Sequence, residues 1–478
     1  MLFKIFVVYL QSNQKRKEMT GNFTLEDAFN AKLTENGDVA FTKTGNNNLL
    51  NILFLTEYYS NHLDEVSIGT SEKDKMFARF VRDPRHGLGK RDLGRILMHL
   101  SGCSIEEIVK SGRVDDLFIY NAKSGDYELS KEVLDYLYNE CKNGNELVKK
   151  WMPRYSSKNL MIARAIAKAW GMNKQTYGKF VKCNTIEQKL SRKTTDDINF
   201  EHVPSLAMLK YYQRFACGED TKDRFEQYLE DVRSGKKEIK VSTATVYDIY
   251  KNRDRIDADL IFDKIEKIAL SCVPVVDSSG SMQDSNDSYG KAMAIGHYLA
   301  KCSTYAPNKV ISFSSRPALL TLGVENIIPS YYGNGTSKQN LSRYKNGYAK
   351  EIASMYTGDC SNTDLVKVME CLKTFYLTID NKVKYPEFIV ILSDMEFDAG
   401  SSYEKDELMR IWNNKGYDTK IVWWNLNSRN ITVPEMDHHG NIYMSGYSPM
   451  LLKFLQVGFD GETFLNTLID EYAKVINK

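Results

Sequence analysis

The sequence predicts an α plus α/β chain: an N-terminal α-helical repeat domain, solenoid- or ring-like, followed by a C-terminal doubly wound, Rossmann-like α/β domain. Three observations predict it. From about Leu25 to Asp254, segment after segment places apolar residues at helical spacing. From about Lys264, short apolar runs alternate with helical patterns, as in a parallel sheet covered on both faces. The chain has 478 residues, too many for one ordinary core. The expected divisions are a lead at 1–18, the helical domain at 19–258 and the α/β domain at 259–478.

At the N-terminus, Leu2 to Leu10 is apolar but far too short to span a bilayer. It also lacks the leading positive charge and small-residue cleavage site of a signal peptide. Met19 opens "MTGNFTLEDAF" like an ordinary start, so 1–18 reads as a disordered or upstream lead, with an added edge strand as the alternative. Helices are expected in "NLLNILFLTEYYSNHL" and "DKMFARFV", then a tight turn at Pro84, Gly87 and Gly89. More follow in "SKEVLDYLYNECK", "NLMIARAIAKAWG", "SLAMLKYYQRF" and "KDRFEQYLEDVRSG", the last stopped by Gly235. The helix pairs suggest a solenoid or ring without a strict repeat.

The C-terminal elements follow in alternation. Strands are expected in "IALSCVPVVD", "KVISFSS", "EFIVILSD", "KIVWWNL" and "NIYMSG". Helices are expected in "YGKAMAIGHYLAKCS", "DLVKVMECLKTFYL" and "DELMRIWNNKG". Trp423 and Trp424 belong to a strand and are expected in the core.

Composition excludes several classes. Hydrophobic residues make up 42%, charged residues 26%, and the net charge is +2, so the chain is not a polycation. Eight cysteines are scattered without a C-x-x-C pair, which fits reduced thiols in a cytoplasm. No other segment approaches a membrane span, so no membrane partner is expected, and the chain is expected to be a monomer.

One stretch stands out chemically. "VVDSSGSM" sets Asp277, Ser279 and Ser281 as D-x-S-x-S directly after an apolar strand. Thr363 precedes a helix and Asp394 ends another strand. In doubly wound sheets ligands bind at the carboxyl ends of strands, on exposed loops. Two carboxylates and three hydroxyls are hard oxygen donors suited to Mg²⁺, or to Mn²⁺ or Ca²⁺. The bland reading is a polar turn. The set resembles, residue for residue, the metal-ion-dependent adhesion site of von Willebrand factor A domains. That resemblance implies a cation whose shell is completed by an acidic group from a partner, and recognition rather than catalysis.

Other motifs weigh less. Glu396 and Asp398 read as a solvated acidic loop. "GNGTSKQN" lacks the ending of a phosphate loop, and Asp437 to His439 reads as a solvent-facing turn. No G-x-S-x-G elbow is present, and Asp277 is not followed by the second aspartate that a D-x-D phosphatase needs, so no enzyme class is indicated.

Two helical segments are basic. One carries Arg79, Arg82, Arg85, Lys90, Arg91 and Arg95; the other carries Lys149, Lys150, Arg154, Lys179 and Lys182, interleaved with Trp151, Tyr155, Trp170 and Tyr177. Cations engage phosphates and aromatic rings can stack bases, although basic faces are often merely solvated, internal ion pairs can consume the charge, and Trp at helical spacing is usually core. "RDPRHGLGKRDL", "KKWMPR", "VPSLAMLKYYQRF", "DRFEQYLEDVRSGKKEIK", "LSDMEFD" and "MSGYSPMLLKFL" together resemble the uncharacterised domain of unknown function 2828, from Leu49 to Leu455. That family occurs in plants and large DNA viruses, which would make the compartment a host's cytoplasm if the chain is viral. More distantly, the architecture is similar to Ro-type (TROVE) RNA-binding proteins. That similarity implies small or misfolded RNA as partner, held in a ribonucleoprotein. The resulting expectation is a non-enzymatic, Ro-like RNA-binding protein with a Mg²⁺-dependent adhesion site. The rival is a metal-dependent protein-interaction scaffold that binds no RNA. A continuous positive surface favours the first, and cations dispersed into ion pairs favour the second.

Overall fold

The computed structural model describes residues 68–83, 87, 90–121, 126–156, 160–241, 244–255, 257–283, 287–314, 316–329, 335–359, 367–368, 371, 385–394, 419–427, 432–436, 441–445 and 472–473. The 1–18 lead, the helix at "NLLNILFLTEYYSNHL", the "DELMRIWNNKG" helix, Glu396, Asp398 and Asp437 to His439 lie outside them.

Helix α1 (Glu72–Arg82) begins at a reciprocal cap. The Ser71 hydroxyl accepts from the Asp74 amide at 3.3 Å while the Asp74 carboxylate accepts from the Ser71 amide at 3.0 Å. Its partner α2 (Arg91–Leu100) lies against it. Gly94 makes that closeness possible, since a Cβ there would stand 2.5 Å from the Arg82 Cα. Between the helices, the Lys90 amide donates to the Val81 carbonyl at 2.9 Å. Helix α3 (Ile105–Ser111) leads to a small antiparallel hairpin, β1 (Ile119–Asn121) and β2 (Asp126–Glu128). Then come α4 (Lys131–Lys142), α5 (Glu146–Trp151), α6 (Leu160–Ala169), α7 (Lys174–Phe180) and α8 (Ile186–Arg192). Phe77, Phe80, Leu97, Leu137, Ile166 and Tyr177 belong to the core that α1 to α7 bury, whereas Ile186 and Leu190 of α8 pack against the next one.

A second core begins at Ile198. It takes in α9 (Ser205–Cys217), α10 (Lys222–Arg233), α11 (Val246–Lys251) and α12 (Ala258–Asp263). Gly235 stops α10 in the left-handed region, φ 73°, as a residue without Cβ can. This core continues without a break into one face of the sheet through Cys272, Val276, Val390, Leu392, Val422 and Trp424. Apolar packing therefore runs across position 258.

Among the described residues the sheet has seven strands: β3 (Cys272–Asp277), β4 (Lys309–Phe313), β5 (Ala318–Thr321), β8 (Phe388–Ser393), β9 (Lys420–Asn425), β10 (Thr432–Met436) and β11 (Ile442–Ser445). Their order is β10-β11-β9-β8-β3-β4-β5. The inner pairs are parallel, and both edges are closed by antiparallel strands, β5 and β10. A separate hairpin, β6 (Ile327–Pro329) and β7 (Thr336–Lys338), follows β5 and takes up the "GNGTSKQN" region in part. Residues of the central strands alternate between faces. Val273, Val275, Ile389, Ile391 and Trp423 form the other face's core. Helix α13 (Ser288–Cys302) lies between the sheet and the helical layer and is buried nearly all round, as an apolar helix with no polar stripe must be. Its Gly296 sits where a Cβ would meet the Val276 side chain at 2.4 Å, so the helix seats directly on β3. Helix α14 (Gly347–Ser354) completes this side.

The two ends of the described chain meet. Tyr472 is buried in the first core, edge-on to Phe80 at 5.9 Å, with its hydroxyl donating to the Arg79 carbonyl at 3.3 Å. No helix among the described residues is long and apolar enough to cross a membrane.

Candidate functional site

Strand order reverses at β3, whose next strand, β4, lies on one side while β8 lies on the other. A crevice at the carboxyl ends of β3 and β8 is therefore the topological switch point, where such sheets bind ligands. Asp277 ends β3 and Asp394 immediately follows β8. The expectation of exposed loops needs correction for the carboxylates: Asp277 is fully buried and Asp394 is 3% exposed. They lie beneath the surface at the strand ends, while Gly280 and Ser281 beside them are exposed. The buried Met282 side chain pins the short 3-10 turn Gly280–Met282 beneath them.

Asp277 is held by two donors. The Ser393 hydroxyl donates at 2.6 Å and the Ser279 amide at 2.9 Å. The Ser279 and Ser281 hydroxyls lie 3.1 Å apart, so D-x-S-x-S does gather its three side chains. Ser278 faces the other way, donating its hydroxyl to the Asp359 carbonyl at 2.8 Å and so tying β3 to the segment before Thr363. Thr363 itself lies outside the described residues. Burial pushes the Asp277 carboxyl up to about 7, with the Asp394 charge adding to the shift and the Ser393 and Ser279 donors opposing it. Two adjacent buried carboxylates whose charges oppose each other are a donor set that a divalent cation would neutralise. Among the described residues no group of three or more His, Cys, Asp or Glu side chains converges, so a cation here would draw part of its shell from hydroxyls.

The first basic segment is not a free surface. Arg79 is buried, its Nε donating to the Ser111 hydroxyl at 2.8 Å and its Nη1 lying 3.4 Å from Glu107. Arg82 is 2% exposed and pairs with the fully buried Asp116 at 2.6 Å, off the N–H axis, so the contact is ionic. Arg91 pairs with Asp115, and Arg95 with Asp92 at 3.5 Å. Lys90 is half-buried ahead of α2, and Arg85 lies outside the described residues. As phosphate contacts, Arg79 and Arg82 are therefore corrected: these cations hold α1 to α3 and to the turn after it.

The second segment differs. Residues 147–195 contain twelve Lys and Arg and a single acidic residue, Glu187. Lys149 reaches Glu146 at 3.9 Å, and Arg154 is half-buried, donating to the Lys149 carbonyl at 2.8 Å. Lys150, Lys179 and Lys182 are exposed. So are Arg164, Lys168 and Lys174, which were not singled out from sequence. The signal for two of them was present: α6 buries Ile162, Ala163, Ile166 and Ala167, which leaves Arg164 and Lys168 one turn apart on the opposite face. Tyr177 and Trp170 are not a stacking platform, while Trp151 and Tyr155 are half-buried. Tyr177 is buried with its hydroxyl on the Pro153 carbonyl, and the Trp170 indole donates to the Leu134 carbonyl at 3.2 Å. Trp170 also packs edge-on to Tyr138 and Phe180. Trp423 and Trp424 are buried in the sheet.

The fold and site thus define a helical protein joined to a mostly parallel α/β sheet with a carboxylate-and-hydroxyl crevice at its switch point. Residues 173–269 match the family described as Domain of unknown function (DUF2828). The matched span is shorter than the resemblance read from the sequence. Residues 271–470, which hold "LSDMEFD" and "MSGYSPMLLKFL", match instead the Domain of unknown function (DUF7788). No curated protein matches. Among solved structures, the chain is similar to the Deinococcus radiodurans RO (RSR) protein, at 10% identity over 88% of this chain and 91% of that one, with a TM-score of 0.36.

Proposed function

We propose that this chain is a non-enzymatic RNA-binding protein of the Ro-like kind, with a von Willebrand A-type domain that binds Mg²⁺. The observation that carries the RNA reading is the charge of residues 147–195: twelve cations against one carboxylate, with Lys150, Arg164, Lys168, Lys174, Lys179 and Lys182 exposed. A polyanion neutralises such a face and releases its own counterions in doing so. Because Tyr177 is buried in the core and Trp151, Tyr155 and Trp170 pack half-buried against it, contact is to phosphates more than to stacked bases.

The cation reading rests on Asp277, Ser279, Ser281 and Asp394, gathered at the switch point, with Thr363 as the fifth donor. When bound, the metal supplies an open coordination position for an oxygen ligand. Asp277 and Asp394 hold the charge, and the Ser393 hydroxyl fixes the Asp277 oxygens. A carboxylate from a protein partner would complete the shell. The ion-paired cations at Arg79 to Arg95 favour this scaffold role as a second function of the same chain. The buried Tyr472 contact with α1 supports a ring closed by the chain's two ends.

Photo-crosslinking of the purified chain to small cellular RNA, followed by mapping of the crosslinked peptides, tests the RNA reading. Crosslinks are expected within 147–195. Crosslinks confined to 79–95, or none at all, contradict it.

A further inference from the structure

One buried titratable group belongs to neither the crevice nor the basic face. His297 stands in the middle of α13, fully buried, at the joint between the helical layer and the sheet. Phe262 of α12 meets its ring edge-on at 4.6 Å, and Tyr348 of α14 meets it at 4.8 Å. The His297 Nε2 lies 2.7 Å from one carboxylate oxygen of Glu351, on the segment of α14. The other Glu351 oxygen accepts from the Lys301 ammonium at 2.9 Å, one turn further along α13. Three helices therefore converge on one imidazole.

The hydrogen bonds fix the charge state of the ring. An ionised carboxylate only accepts, so Nε2 carries the proton of the neutral imidazole. Burial raises the Glu351 carboxyl, but the His297 and Lys301 donors outweigh that and hold it below its ordinary value. Nδ1 then keeps a lone pair, buried and without a hydrogen-bond partner among the described residues. A second proton would make Nδ1 a buried donor on a charged ring, again with no acceptor, and a charged group left so costs more than a neutral one. The charged and titratable groups around the ring are Glu351 and Tyr348 on α14, Lys301 on α13, and Lys267 after α12, whose ammonium lies 5.1 Å from the Phe262 ring. Burial holds the imidazole below its ordinary value; Glu351 opposes this, and the two lysines add to it.

We propose that His297 is an acid-sensitive pin of this joint: neutral, it seats α13 against α12 and α14, and protonated, it loosens that seat. The unfolded chain takes up the proton at about pH 6.5, and the folded chain only at lower pH. The stability this residue contributes is therefore present above about pH 6.5 and is lost as the pH falls through the folded value. Gly296, the preceding residue, rests on Val276 of β3, so the helix that loosens is the one that ties the helical layer to the sheet. Asp257, fully buried ahead of α12, works the other way: burial pushes its carboxyl up to about 6, with Arg255 opposing.

Hydrogen exchange of the full chain, read by mass spectrometry at about pH 7.5 and about pH 5.5 and corrected for the intrinsic effect of pH, tests this. His297→Gln is the comparison, since glutamine keeps an N–H donor for Glu351 and does not titrate. Asp257 is common to both proteins, so its opposite contribution cancels. On acidification the protection of α13 is expected to fall about tenfold more in the wild type than in the variant. An equal change in the two proteins overturns the proposal. So does wild-type protection that rises relative to the variant, as attraction between an imidazolium and Glu351 would give. If the variant does not fold, α6 of the wild-type chain is the reference. A loss in α13 about tenfold beyond that in α6 supports the proposal, and equal changes in the two helices overturn it.

Discussion

Arg82→Ala is expected to lower the unfolding free energy by about 3–5 kcal/mol, the range for removing one partner of a buried ion pair. Arg82 and Asp116 are both out of solvent, 2% and 0% exposed. Deleting the guanidinium leaves the Asp116 charge buried without its counter-ion, and empties the buried volume the Arg82 side chain fills beyond its Cβ. Asp116 also accepts the Arg113 amide at 2.7 Å, so the turn that follows α3 is disturbed as well. Arg82→Met combined with Asp116→Asn should cost less than Arg82→Ala alone, because the double change keeps volume and an acceptor while removing both charges. Urea unfolding followed by tryptophan fluorescence measures this. A loss below about 1 kcal/mol, the size of a surface pair, would put Arg82 at the surface and return it to the set of phosphate-binding cations.

The second large effect concerns the cation. Asp277→Asn together with Asp394→Asn should reduce Mg²⁺ binding below detection in calorimetry while the sheet stays folded. Asparagine keeps one acceptor, for the Ser279 amide at 2.9 Å, and its Nδ2 can donate to the Ser393 hydroxyl, which then accepts where it donated before. It removes both formal charges, on which a hard cation depends. Folding should not suffer, since Asp277 is a buried carboxyl already pushed up to about 7 by desolvation and by its neighbour Asp394. Mg²⁺ affinity unchanged in the double variant would remove these two residues from any cation site.

Much of this arrangement was legible in the sequence because it depends on local pattern. The apolar runs of β3, β4, β8, β9 and β11 declare buried parallel strands, and D-x-S-x-S after β3 marks the strand end where ligands sit. The antiparallel edges β5 and β10 were not read, because β5 is four residues of mixed burial and β10, Thr432–Met436, is short and carries Pro434, so neither shows a clear period. The fate of Arg79 and Arg82 was also hidden. A cation on a helix looks the same from sequence whether it faces water or a carboxylate on a later segment, and Glu107, Ser111 and Asp116 lie beyond the intervening helix α2. The same holds for Tyr472, whose place beside Phe80 depends on closure of the whole chain.

The central claim is that the chain holds RNA through the exposed cations of residues 147–195. Its most direct test is RNA affinity measured over a series of salt concentrations, for the wild-type chain and for one carrying Arg164→Gln, Lys168→Gln, Lys179→Gln and Lys182→Gln. All four side chains are exposed, so thermal stability should hardly change. Removing one cation from a phosphate should make the plot of log affinity against log salt shallower by about one unit. The variant is therefore expected to bind more weakly at low salt, with a slope reduced by about 3–4. Wild-type and variant proteins with equal affinity and equal slope would contradict the account.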